Sequence, residues 1–168
     1  MLSPLLISGW SEPLVATFLL LPAYRIHQYE EHDNDRFRHF INKTIGQGFE
    51  VLSLWAVFFT NIPGVWGVIA LSLYFAVWVN LGWALVAVYL VLVNAMVHIV
   101  HAIIFRWYNP GLITSIVLFV PLGSVSLYWV ARGHAVGLGC SLTIHGAIVL
   151  HFQRRLTLLR STTNQKKE

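Results

Sequence analysis

Charge is what this chain has least of: 11 Lys and Arg and 7 Asp and Glu among 168 residues, so that 11% is charged and 57% hydrophobic. A soluble domain carries about 25% charged residues, and the shortfall excludes a water-facing surface over most of the chain. Cysteine is nearly absent too. Cys140 stands alone, which rules out an intrachain disulfide or a cysteine metal cluster and leaves a small packing residue in an apolar run. There is no Gly-rich phosphate loop, no Gly-x-Ser-x-Gly elbow and no His-Glu-x-x-His. The apolar runs do not alternate with polar residues, so a β-barrel is not expected. Residues 1–12 lack a basic n-region and are broken by Pro4 and Gly9, so no cleaved signal peptide is expected there.

What remains is hydrocarbon in long blocks, and an apolar run of roughly 20 residues crosses a bilayer. The first block starts near Ser11-Glu12-Pro13, a helix N-terminus, and runs past Pro22, an expected kink. Polar residues 31–43 then form a loop or an interfacial helix. Block 49–79 is interrupted by Asn61-Ile62-Pro63-Gly64, which reads as a turn. It is either two helices or one broken segment. Blocks 83–107, 111–130 and 135–152 follow, separated by Tyr108-Asn109-Pro110-Gly111 and by Arg132-Gly133. The expected fold is an all-α polytopic transmembrane bundle of five spans, or six if block 49–79 crosses twice. Residues 1–160 make one domain and 161–168 a polar, disordered tail.

Five spans put Arg36, Arg38, Lys43, Arg106 and the basic tail (Arg154, Arg155, Arg160, Lys166, Lys167) on one side, which the positive-inside rule makes cytoplasmic. The expected location is the inner, cytoplasmic membrane, with the C-terminus inside. No soluble basic domain exists for nucleic acid to bind; the expected partners are membrane lipid and an apolar small molecule.

Against that apolar background the polar groups stand out. His27, Glu30 and Glu31 lie at i, i+3 and i+4, so one helical face carries an imidazole and two carboxylates. His98 and His101 are i, i+3, with Asn94 a turn earlier, in apolar surroundings. His145 is placed to join them from the last block. Two or three imidazoles with one or two carboxylates make a first shell for a divalent metal, suited better to zinc than to iron. A di-iron site would want more carboxylates than Glu30, Glu31 and Glu50 supply. The opposing explanation is an interfacial helix end for the first group, and core histidines bonded to neighbouring helices for the second. No organic cofactor is evident. Tyr108 is either a belt tyrosine or a hydroxyl for a ligand or carboxylate, while Pro110 and Gly111 make a tight connection.

Taken together, His27-x-x-Glu30-Glu31, Asn94-x-x-x-His98 and Tyr108-x-Pro110-Gly111 resemble the HXXEE domain family of bacterial membrane proteins, over roughly residues 20 to 125. The resemblance implies functional positions at His27, Glu30, Glu31, His98, Tyr108, Pro110 and Gly111. It implies an enzymatic role without naming a reaction. His101 and His145 are additions from spacing and depth alone.

The expected function is a membrane-embedded, metal-dependent enzyme of hydrolase type acting on a lipid or other apolar substrate. His27, Glu31, His98 and His101 are the candidate ligands; Glu30, Glu31 and Tyr108 are the candidate catalytic groups, one Glu acting as base on a water. The alternatives are a metal-free binding protein or proton-coupled carrier with a buried His/Glu relay, and a small structural partner of a larger complex.

Overall fold

Ser11 is extended (φ −68°, ψ 156°) and Pro13 falls in the first turn, and from there helix α1 runs Glu12–His32 without interruption at Pro22. The computed structural model describes residues 8–130 and, beyond them, Arg154. After α1 the chain reverses through Asn34 (φ 53°) and Asp35 (φ 59°), two residue types that tolerate left-handed backbone. A short helix α2, Arg36–Thr44, follows. It is amphipathic: Phe37, Phe40 and Ile41 pack on Val51 and Leu52, while Arg36, His39 and Lys43 are exposed. Asn42 fastens the following loop with both amide atoms, Nδ2 donating to Leu52 O (3.0 Å) and Oδ1 accepting from Leu52 N (2.8 Å). Arg38 pairs with Asp35 and, at 3.1 Å, with Glu50, so Glu50 is an ion-pair partner of α2.

Helix α3 spans Leu54–Trp78, with Ser53 Oγ accepting from Ala56 N at its start. The turn expected at Asn61-Ile62-Pro63-Gly64 is not there. Residues Thr60–Gly67 instead form a π-helical stretch inside one continuous helix. Pro63 has no N–H and its ring crowds the preceding turn; widening the helix locally absorbs both, and the apolar residues on either side keep the helix going. Block 49–79 is therefore one helix rather than two.

A single 3-10 turn, Leu81–Trp83, capped by Asn80 Oδ1, leads into α4, Ala84–Phe105, which ends at left-handed Arg106 (φ 56°). Helix α5, Leu112–Val130, contains a second π stretch at Ser115–Phe119. Gly123 lets it approach α4 closely: a Cβ there would lie 2.5 Å from Leu92 Cδ2.

Three of these helices, α3, α4 and α5, are long and apolar enough to cross a membrane. Their outward faces carry Leu71, Trp78, Val97, Ile103, Ile104, Ile116, Val117 and Tyr128, all exposed, which bulk water would not tolerate in such number. Five or six spans are not supported. Helix α1 is not among the three apolar helices, since Arg25, Glu30 and Glu31 occupy its second half. The block expected at 135–152, with His145, lies outside the described residues.

One core joins α1, α3, α4 and α5 through Leu20, Tyr24, Ile69, Leu73, Val88, Val91 and Phe119. A second cluster puts the end of α3 (Ala76), the start of α4 (Ala84, Leu85), the end of α5 (Val130) and Leu14 of α1 together. Helices α1 and α4 thus run one way and α3 and α5 the other. The C-terminal ends of α1 and α4 consequently meet the N-terminal end of α5, and the polar residues converge there.

Candidate metal centre

Helical spacing puts His27 and Glu31 one turn apart on the buried face of α1, where they are 0% and 4% exposed. His98, near the end of α4, is 4% exposed and faces them. Glu31 Oε1 lies 3.3 Å from His27 Nε2 and 3.2 Å from His98 Nε2. One ligand atom from each of the three residues falls within 4.8 Å of the others. Zinc with bonds of ~2.0–2.1 Å sets neighbouring tetrahedral ligand atoms about 3.4 Å apart, so these three side chains could hold a metal ion.

The far side of each ring decides its tautomer. Asn109 Nδ2 donates to His98 O (2.9 Å), which turns its Oδ1 toward His98 Nδ1 at 2.6 Å. Nδ1 must carry a proton, and in the neutral imidazole Nε2 then keeps its lone pair. For His27, Nδ1 is 2.8 Å from Thr114 Oγ1, whose own hydroxyl donates to Glu30 Oε2 at 2.5 Å. That hydroxyl proton is spent on Glu30, so His27 Nδ1 is again the donor and Nε2 the lone pair. Two imidazole lone pairs and a carboxylate oxygen thus point at one another in a buried space. His27 Nε2 finds no hydrogen-bond partner among the described residues. Such a cluster of acceptors needs a cation or added protons between them.

Glu30 stands behind this first layer. It accepts from Thr114 N (2.8 Å), Ile113 N (3.1 Å), Thr114 Oγ1 and Tyr108 Oη (2.8 Å). The two backbone donors are orphan N–H groups in the first turn of α5, a natural seat for a carboxylate. Partial burial and the bond to Glu30 push the Tyr108 hydroxyl up to about 12.

Gly111 closes the site. At φ +97° it sits in a region L side chains rarely adopt, and a Cβ would lie 2.6 Å from His98 Cε1 and 2.8 Å from His27 Cε1. Pro110 and Gly111 therefore bring the connection itself against both rings. Phe119 covers His27, with ring centroids 4.3 Å apart.

Other expected residues lie elsewhere. His101 is not in the cluster; three residues past His98 its face has turned, and it stacks on Phe105 (4.3 Å) and meets Phe40 of α2. Asn94 donates to Tyr24 Oη (3.0 Å), one turn deeper. Two residues that no motif marks are central to the site, Asn109 and Thr114. In the sequence Asn109 has only the signature of a turn. Thr114 was one hydroxyl in an apolar run, and its position four residues after Pro110, in the first turn of a helix, was its single signal.

No curated protein and no solved structure matches this chain. The model of the family described as "Protein of unknown function with HXXEE motif" matches residues 18–126, from the middle of α1 through most of α5. That stretch contains His27, Glu30, Glu31, His98, Asn109, Gly111 and Thr114 together, and the chain belongs to the HXXEE family.

Proposed function

We propose that this protein is a membrane-embedded, metal-dependent enzyme of hydrolase type whose substrate is a lipid or another apolar molecule. The observation that carries the reading is the convergence of His27 Nε2, His98 Nε2 and Glu31 Oε1, which with neutral imidazoles are three acceptors with no donor among them. Three protein ligands leave a position open on a tetrahedral metal, as catalytic rather than structural zinc sites do. A metal held there would polarise an ester or phosphoryl oxygen and make a water more acidic. The chain's own part is to hold both imidazoles in the Nε2 lone-pair form through Asn109 and Thr114 and to keep the site dry under Phe119. Glu30 has both oxygens engaged and is a positioning residue, fixing His27 through Thr114. Glu31 Oε2, 3.7 Å from His32 Nε2, is the carboxylate oxygen placed to accept a proton.

Elemental analysis of the purified protein tests this. We expect about one divalent ion per chain, zinc before iron, lost in His27→Ala, Glu31→Gln and His98→Ala. The double variant His27→Ala/His98→Ala should be little worse than either single, because ligands of one ion act as a unit. Unchanged metal content in both histidine variants, His27→Ala and His98→Ala, would remove the metal reading. Wild-type protein free of metal would favour protons as the bridging cations, and with them a proton-coupled carrier.

A further inference from the structure

A second feature of the bundle lies on the other side of α1. Between α1 and the first half of α3 is a cleft of about 470 Å³, lined among others by Arg25, Gln28, His32, Phe58, Asn61 and Trp66. Small-molecule sites fall at roughly 300–1,000 Å³. The walls are mostly apolar, and the polar groups among them are organised by one side chain. Trp66 Nε1 donates to Gln28 Oε1 at 2.7 Å, and the Arg25 guanidinium lies 4.4 Å over the same indole ring. The bond to Oε1 fixes the amide orientation of Gln28, so that Nε2 is the donor left over. Gln28 is 8% exposed, and its Nε2 has no partner among the described residues. Arg25 makes no ion pair among the described residues either. Arg25 is exposed at the edge of the cleft, so that its charge faces whatever enters it.

We infer that this cleft binds an anionic amphiphile, a single carboxylate or phosphate head carried on a hydrocarbon chain. The head pairs with the Arg25 guanidinium beside Gln28, and the chain lies against Phe58 and its apolar neighbours. Charge complementarity selects the head: the Arg25 cation meets no carboxylate in the wall, and Gln28 Nε2 behind it has no acceptor among the described residues. The cleft also adjoins the cluster, since His32 lines it and reaches Glu31 Oε2 at 3.7 Å. This assignment rests on the enzymatic reading for its meaning as a substrate site, though not for its binding prediction.

The test is equilibrium binding of radiolabelled probes to the full chain in a neutral detergent, with metal content measured on the same samples. The probes are oleate, lysophosphatidate, uncharged monoolein and inorganic phosphate. We expect oleate or lysophosphatidate, or both, to bind at least tenfold more tightly than monoolein, and phosphate alone not to bind. Preference for one anion identifies the head as carboxylate or phosphate. Arg25→Gln should abolish the preference over monoolein, and Gln28→Glu, which adds a negative charge beside the head, should reverse it. Metal content should stay unchanged in both. Equal binding of oleate, lysophosphatidate and monoolein by wild-type protein overturns the inference, a result that needs no variant to fold. An undiminished preference in Arg25→Gln overturns it too. Anionic binding by metal-free wild-type protein would sink the metal reading and leave this one standing; metal without anionic preference would do the reverse.

Discussion

Thr114 and Asn109 show how single residues behind the candidate ligands set the chemistry in front of them. Each fixes an imidazole in the tautomer that frees Nε2, and such outer partners are typically worth 10–100-fold in metal affinity. Thr114→Val and Asn109→Ala should weaken metal binding by roughly that factor while leaving all three ligands in place, measured by competition with a chromophoric chelator. If both variants bind metal as wild type does, neither residue has a positioning role. Tyr108 allows a test by pH. Its folded pKa, pushed up to about 12 by partial burial and by Glu30, exceeds the unfolded value near 10. The stabilisation is therefore full below pH 10 and fades as pH rises toward 12. Thermal scans should find wild type more stable than Tyr108→Phe at pH 8, with the gap closing above pH 10. A gap independent of pH would mean the hydroxyl contributes nothing through its proton.

Among the elements, the connection from α4 to α5 decides most. Arg106 ends α4 in the left-handed region, Asn109 turns back to His98, and Gly111 opens α5 against both histidines. An alanine at 111 meets a forbidden φ and two ring edges at once, a strain of order 1–3 kcal/mol before any loss of metal. Gly111→Ala should lower the melting temperature and release metal together. Gly48 has a similar φ of +89° but open space around it, so Gly48→Ala should lower stability alone. Metal retained in Gly111→Ala would show that the rings can move aside. Helix α3 teaches a different lesson, since a proline that reads as a break was absorbed by a π stretch. Local turn chemistry lost to the longer apolar run around it.

Over the whole molecule, the alternating directions of α1, α3, α4 and α5 gather the cluster, the cleft, α2 and the α4–α5 connection at one end. Arg36, Arg38, Lys43 and Arg106 belong to that end as well, which we propose is the cytoplasmic one. Thiol labelling in a Cys140→Ser background should reach Lys43→Cys and Trp107→Cys from the cytoplasmic side and Val79→Cys from the other. Positions 43 and 107 labelled from opposite sides would contradict the packing of α1, α4 and α5.

Periodicity and composition alone determined that the chain is helical and largely apolar, because a bilayer leaves few other ways to satisfy a backbone surrounded by hydrocarbon. The i, i+4 pair His27 and Glu31 was legible for the same kind of reason: a helix repeats every 3.6 residues wherever it lies. His98 stood among the candidate ligands too, but that it joins the pair while His101 does not was left open. His98 and His101 are both histidines in the same apolar helix, and the rotation of α4 against α1 alone brings the first inward and turns the second to Phe105. Asn109 and Thr114 are ordinary polar residues in the sequence, and they acquire their roles from the approach of α5 to α1 and α4. Contacts between segments far apart in the chain leave no period to read, so the tertiary structure alone selected them.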